Sequence, residues 1–483
     1  MLKHLDDTTM ILLLRILNAC LSLQKIPKMW KKSNIYPISK KKNFNGQLNT
    51  TRPISLIEHT KKIFTKIITK RLNSAFSKYS ILHHSNHVAL PNTSTEIPIA
   101  TIMHIIEDSQ LKNKELWLLS QDMSKAYDSV HIPLLEKALE RLKLPTNIIT
   151  LITDIFTERS NSVITHLGLT QSYPVHDGID QGETITPLLW RIYYDPLLTR
   201  IYNNISGYSI NTTYTNQNTT KHLTKNILAL AYMDDTIWIA QSQEELQNIL
   251  EIATSFFTFT NIKVNPNKSI LAVNNSRNTN PSITFNHTTI NSVNSKETFR
   301  ILGCWYTISK NHKPTHKIIK EEAEHAIKRI QHAKLTDKQA VYIINTVLLT
   351  RISYRIQNTF LSSTLCEKLT NQYTSMVKHK AGLSRTLPNS TMHHYRIYSL
   401  RTIKDIQTQQ HISLISRQIN HPNFSNSSLR IRLQQIQNST HSNTSIFSES
   451  PYILPLKEAT TTTVKMLSHF QYMHLNINSD NNE

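Results

Sequence analysis

Apolar residues recur at helical spacing at Leu12, Leu13, Ile16, Leu17 and Leu21, and the run stops near Pro27. This predicts an N-terminal helix. Between Trp30 and Pro53, the turn residues Asn45, Gly46 and Asn49 separate short apolar pieces, the pattern of a loop or hairpin. Ile57, Lys61, Phe64, Ile67, Ile68 and Leu72 then predict a helix with basic residues beside its apolar face. The middle third mixes strands and helices. Residues 116–119 form a short apolar run that ends in Ser120, Gln121 and Asp122. Residues 133–144 predict a helix, with Leu134, Leu135, Ala138, Leu139 and Leu142 on one side and Pro133 in its first turn. The apolar runs 227–233 and 236–240 flank Asp234 and Asp235, a hairpin signal with acids at the tip. Residues 244–257 predict another helix. From about Pro314 helices dominate, one of them opened by a capping box of Thr336 and Gln339. Residues 418–450, rich in Asn, Ser, Thr and Gln, read as loop or linker, and residues 476–483 read as a disordered tail.

Charge adds a partner to this picture. Lys and Arg number 54 against 33 Asp and Glu, a formal net charge of +21. Residues 1–80 hold 16 of those bases and only 3 acids. Such an excess favours a polyanion, most simply nucleic acid. Trp30, Tyr36 and Phe44 in the same stretch are candidate stacking groups, and a solvated basic face is the other reading. Three widely spaced cysteines, Cys20, Cys304 and Cys366, exclude a disulfide framework and any Cys-based zinc module. No apolar run approaches the roughly 20 residues of a membrane span. Asp6 and Asp7 stand where a signal peptide would be basic, so neither membrane nor secretion is expected. Glycine is scarce, 7 in 483 residues, so each is expected at a turn or a close backbone approach.

Asp234 and Asp235, in Ala-Tyr-Met-Asp-Asp-Thr, are the most informative residues. Two like charges about 4 Å apart repel by roughly 4 kcal/mol at an effective dielectric near 20. A tight turn could use Asn and Gly instead. A divalent cation relieves the repulsion, and hard oxygen donors suit Mg²⁺; a merely polar turn is the alternative. Asp122 ends an apolar strand in Gln-Asp-Met-Ser-Lys-Ala-Tyr-Asp-Ser-Val. Alone it would be a strand-ending acid or helix cap. Together, acids from two strand ends could meet at one sheet edge and hold two Mg²⁺ ions for in-line phosphoryl transfer.

These motifs resemble a reverse transcriptase of the non-LTR (LINE-like) retrotransposon type, in order over about residues 25–310. Tyr232-Met-Asp-Asp235 is similar to that family's hairpin box, where LINE enzymes more often carry Ala at the place of Met233. Residues 122–128 resemble its first metal motif, Asp-x-x-Lys-Ala-Phe/Tyr-Asp. Gly178-Ile-Asp-Gln-Gly-Glu-Thr-Ile-Thr-Pro-Leu-Leu-Trp190 resembles its Pro-Gln-Gly-x-x-x-Ser-Pro-Leu-Leu motif, with Asp180 in place of Pro and Thr186 in place of Ser. Asn265-Pro-Asn-Lys268-Ser, Phe299-Arg-Ile-Leu-Gly303, Thr51-Arg-Pro-Ile-Ser-Leu56 and residues 35–41 resemble its remaining motifs, with Ser39 replacing a Pro.

The resemblance implies roles. Asp122 and Asp234 would be the main metal ligands, with Asp235 supporting. Lys268 would be a general acid for pyrophosphate, or else a surface helix-cap lysine. Tyr127 would be a steric gate against a ribose 2′-hydroxyl, or else a core aromatic. Lys40 and Arg52 would hold the triphosphate, with Lys41 and Lys42 as alternatives to Lys40. Gln181 and Gly182 would let the backbone approach template and nucleotide, and Leu302 and Gly303 would form the primer grip. Asp128, Asp177, Asp180 and Glu183 read as structural. His83, His84 and His87 cluster in a turn without a metal-ligand spacing.

The implied fold is α+β, a right-hand polymerase. It would comprise an N-terminal helical extension (1–30), fingers (31–110) and a palm (111–310) with a small antiparallel sheet and a returning fingers segment at about 140–176. A helical thumb (311–400), with Lys317, Lys320, Lys328 and Arg329 along the nucleic-acid backbone, and a polar, partly disordered C-terminal region (401–483) would follow. The implied function is RNA-templated extension of a DNA primer or target with dNTPs and two Mg²⁺ ions, Mn²⁺ being a substitute. The site of action would be intracellular and, by family analogy, nuclear. Other domains of a longer retroelement polyprotein are expected to be missing. A decayed fragment that only binds RNA and a group II intron-type maturase are the alternatives. Tyr127 disfavours a viral RNA polymerase.

Overall fold

The computed structural model describes residues 4–40, 46–47, 50–89, 91, 94–216, 219–440, 446–447 and 454–473. After the helix Asp7–Leu23, the strands Lys32–Ser39 and Thr51–Leu56 form an antiparallel hairpin. The strand Arg159–Thr165 returns to lie parallel beside Lys32–Ser39, with Ser160 opposite Lys32, and Tyr173–Val175 and Gly168–Leu169 pair with it in turn. The helix His59–Lys78 follows the hairpin and buries Phe64, Ile68, Leu72 and Phe76.

A second sheet is built around the strand Leu116–Ser124. Asp235–Ala240 runs antiparallel to it, Ala229–Tyr232 lies beyond, and Ile270–Asn274 and Lys263–Val264 share its other edge. Strand alternation sends successive side chains to opposite faces. Trp117, Leu119 and Trp238 therefore join a core with residues of the helices Ile132–Arg141, Thr186–Asn204 and Gln243–Thr260. Leu116, Leu118, Ile237 and Ile239 face the other way, onto Ile99, Ile102 and Ile105 of the helix Glu96–Lys112. With both faces covered, these strands read as unbroken apolar runs and hold their polar ends in register.

The helices Lys313–His332, Asp337–Ile343, Leu349–Arg355 and Ser363–Lys380 enclose a separate core that includes Ile319, Ile344, Leu369 and Tyr373. The capping box at Thr336 and Gln339 forms as expected. Lys317 and Lys320 each lie 3.9 Å from a glutamate one turn on, Glu321 and Glu324.

One expectation fails. The stretch 418–450 contains the helix Ser428–Thr440, not only loop. Leu429, Leu433 and Ile436 recur at helical spacing under the polar composition and pack with Met103, Ile415, Met466 and Phe470. Arg432 is fully buried there between Glu107 (3.3 Å) and Glu458 (2.7 Å). The expected disordered tail, 476–483, lies outside the described residues. Among the described residues no helix is long and apolar enough to cross a membrane.

Candidate active site

Asp122 lies near the end of the central strand and Asp235 opens the strand facing it, and the register sets the two directly opposite each other. Met233 and Asp234 form the turn between Tyr232 and Asp235. Met233 has a left-handed backbone, φ 57°. Two bonds hold that conformation: the Trp190 indole Nε1 donates to the Met233 carbonyl at 2.7 Å, and the Tyr127 hydroxyl donates to Met233 Sδ at 2.9 Å.

The three carboxylates crowd one another. Burial, then Asp234 and Asp122, push the Asp235 carboxyl up to about 6. Asp234 is also raised, chiefly by lost hydration, with Asp122 adding to the rise and Arg52 and Lys268 opposing it. Lys268 Nζ sits 2.9 Å from Asp122 Oδ2, so the expected general acid contacts an expected metal ligand. Asn265 is tied to the same strand, its N–H donating to the Asp122 carbonyl at 3.2 Å, which fixes the root of the Lys268 loop. Among the described residues no three His, Cys, Asp or Glu side chains already converge as a closed metal set. The donor set still fits a hard divalent cation: oxygen ligands only, with the Asp234 and Asp235 carboxyls raised chiefly by burial.

Tyr127 is half-buried, edge-on to Trp190 with ring centroids 6.0 Å apart. Burial, with Asp234 and Tyr232, pushes its hydroxyl up to about 12, so it stays a donor. Its ring packs against the core and its hydroxyl lies at the acidic turn.

Arg52 is exposed on the hairpin strand opposite Ile38, and its charge is felt at Asp234. Lys40 is exposed; its N–H donates to Thr50 O, and its charge reaches Asp128. Lys41 and Lys42 lie outside the described residues. Gln181 and Gly182 bind the chain's own hairpin: Ser55 N–H donates to Gln181 O at 2.8 Å, and a Cβ on Gly182 would stand 2.8 Å from Ser55 O. Leu302 (φ 47°) and Gly303 (φ 83°) make the tight turn between the strands Thr298–Ile301 and Cys304–Thr307.

Three partners escaped the sequence reading. Trp190 closes the motif that contains Gln181, yet nothing in its spacing says that its indole meets Met233. Tyr354 donates to Leu302 O at 2.7 Å and would lie 2.9 Å from a Cβ on Gly303, so a helix from the separate helical core braces this turn. Arg159 pairs with Asp180 at 2.7 Å. His83 is engaged locally, its Nδ1 2.7 Å from Ser85 Oγ and its ring stacked on His84.

A family model described as "Reverse transcriptase (RNA-dependent DNA polymerase)" matches residues 38–306, more than half of the chain. The Pol polyprotein of the R2 retrotransposable element of Popillia japonica is 24% identical over 290 residues, covering 58% of this chain and 45% of the relative. The probable RNA-directed DNA polymerase from transposon BS of Drosophila melanogaster is 26% identical over 197 residues, covering 40% of this chain and 21% of the relative. The chain therefore spans less than half the length of these curated relatives. Among solved structures, telomerase from Candida albicans in complex with a fragment of telomeric RNA aligns with a TM-score of 0.37 and 13% identity, covering 86% of this chain and 68% of that one.

Proposed function

The chain belongs to the reverse transcriptase (RNA-dependent DNA polymerase) family, and we propose that it extends a DNA primer with deoxynucleotides on an RNA template, as part of a non-LTR retrotransposon. The observation that carries this reading is the cross-strand pairing of Asp122 with Asp235 beside Asp234. Membership implies a divalent metal in general; two Mg²⁺ ions, replaceable by Mn²⁺, are our reading. Held by Asp122, Asp234 and Asp235, the metal would make the primer 3′-hydroxyl more acidic and offset charge on the leaving pyrophosphate.

The chain's own groups do the rest by placement and charge. Arg52 and Lys40 offer cations to the triphosphate from the hairpin side. Lys268, two-thirds exposed, is free to turn from Asp122 towards the leaving pyrophosphate and give it a proton. Tyr127, braced by Met233 and Trp190, walls off the space a ribose 2′-hydroxyl would need. Leu302 and Gly303 would seat the primer end, with Tyr354 behind them. The template RNA and a DNA primer or target would be partners, and nuclear action follows from the element type.

The test is incorporation opposite poly(rA) from an oligo(dT) primer with Mg²⁺, dTTP against UTP. The reading requires efficient use of dTTP and strong rejection of UTP. Equal use of both would make the chain a template-directed RNA polymerase instead.

A further inference from the structure

The loop from Asp177 to Glu183 joins two segments that bear proposed nucleotide-binding residues. On one side Gly178 N–H donates to Val130 O at 2.8 Å and Ile179 N–H donates to Tyr127 O at 2.9 Å. A Cβ on Gly178, which has φ 84°, would lie 3.0 Å from the Asp128 backbone, so the two segments touch as closely as backbones can. On the other side Gln181 O accepts from Ser55, three residues beyond Arg52 in the same strand. The loop is therefore a spacer between Tyr127 and Arg52.

Four buried charges hold the spacer. Arg159 Nη1 donates to Asp180 Oδ1 at 2.7 Å, its Nη2 to Gly178 O at 2.7 Å and Asp177 O at 3.0 Å, and its Nε to Phe156 O at 3.0 Å. Lys61 Nζ stands 3.8 Å from Asp180 Oδ2 and 3.6 Å from Glu183 Oε2. Thr65 Oγ1 donates to Glu183 Oε1 at 2.5 Å. All four charged side chains are at most 4% exposed. Two cations match two anions, drawn from a helix, a strand and the loop itself. A buried cluster of this kind is a poor source of net stability compared with apolar packing. What it does supply is geometry. A planar guanidinium reads three acceptors of one loop at once, which an ammonium cannot do. A cavity of about 270 Å³ lies beside it, lined by Ile35, Pro53, Asp128, Arg159, Ile179 and Gln181, while Ile179 itself is buried in the core.

We propose that Arg159 and Asp180 are positioning residues for the incoming deoxynucleotide: through the 177–183 loop they fix the separation of Tyr127 from Arg52. The proposal rests on the polymerase reading above, and Asp180 takes this part where the family's motif carries Pro.

Two readouts test it. The first is amide hydrogen exchange in the variants Arg159→Lys and Asp180→Asn, which needs no activity. Faster exchange confined to Ser55, Gly178 and Ile179 is expected. The second is steady-state extension on poly(rA)/oligo(dT). The Michaelis constant for dTTP is expected to rise about tenfold and the preference for dTTP over UTP to fall, with kcat changed much less. Unchanged exchange at the three amides, or a loss spread evenly along the chain, overturns the proposal, as does a fall in kcat with an unaltered Michaelis constant. If either variant does not fold, Asp180→Leu combined with Arg159→Met removes both partners and gives the same two readouts. Local loosening in a chain whose wild type extends no primer would leave the bracing of the loop standing and reject the polymerase reading, and with it the nucleotide role.

Discussion

Met233 holds a left-handed backbone at a position where a Cβ costs about 1–2 kcal/mol, and two side chains more than 40 residues upstream keep it there. The same turn carries Asp234. Tyr127 is tied to it, so shortening that ring should change ribose selection before stability. For Tyr127→Val, UTP incorporation relative to dTTP is expected to rise about tenfold or more in single-nucleotide extension. Gly182 makes a different prediction. At φ 125° and 2.8 Å from Ser55 O, an alanine has neither the conformation nor the room. Gly182→Ala should cost about 1–3 kcal/mol in chemical denaturation and raise the dTTP Michaelis constant. The acids were legible because each sits in a contiguous motif at the end of an apolar run. Trp190, Arg159 and Tyr354 were not, because each acts on a distant partner that no local spacing encodes.

Among elements, the central strand does most to set the geometry of the site. Its alternation puts Trp117 and Leu119 on one core and Leu116 and Leu118 on another, which locks the register that pairs Asp122 with Asp235. A one-residue slip would turn every one of these side chains over. That pattern was readable as apolar runs bounded by acids. The helix Ser428–Thr440 was not, because its Gln- and Asn-rich face masks four buried apolar positions and an arginine is buried among them. Composition is a poor guide when burial is achieved by pairing. Arg432→Met is expected to strand Glu107 and Glu458 without their cation and to lose about 3–5 kcal/mol in denaturant titration. Loss of less than 1 kcal/mol would mean that the helix docks through Leu429, Leu433 and Ile436 alone.

At the scale of the whole molecule, polar contacts tie the C-terminal helices to the helix Glu96–Lys112 and to one another. Helix Glu96–Lys112 meets the C-terminal helices at His104, whose Nδ1 lies 3.0 Å from Ser428 Oγ. His411 Nε2 contacts Ile356 O at 2.9 Å, and His469 Nδ1 lies 3.1 Å from Thr408 Oγ1. Burial pushes these imidazoles down, His104 to about 3 and His411 and His469 to about 4. The unfolded chain, with histidines near 6.5, binds more protons than the folded one between those values. Their contribution is therefore complete above about pH 6.5 and is lost as pH falls towards 4. The denaturation midpoint should be lower at pH 5 than at pH 7.5. The proposed function places template-directed DNA synthesis at the acidic turn. Its most direct test is primer extension on poly(rA)/oligo(dT) with dTTP and Mg²⁺ by the wild type and Asp234→Ala, with RNA binding measured alongside. Extension by the wild type alone, with equal RNA affinity in both, is the predicted result. Silence from both with RNA binding intact, or extension that survives Asp234→Ala, would contradict it.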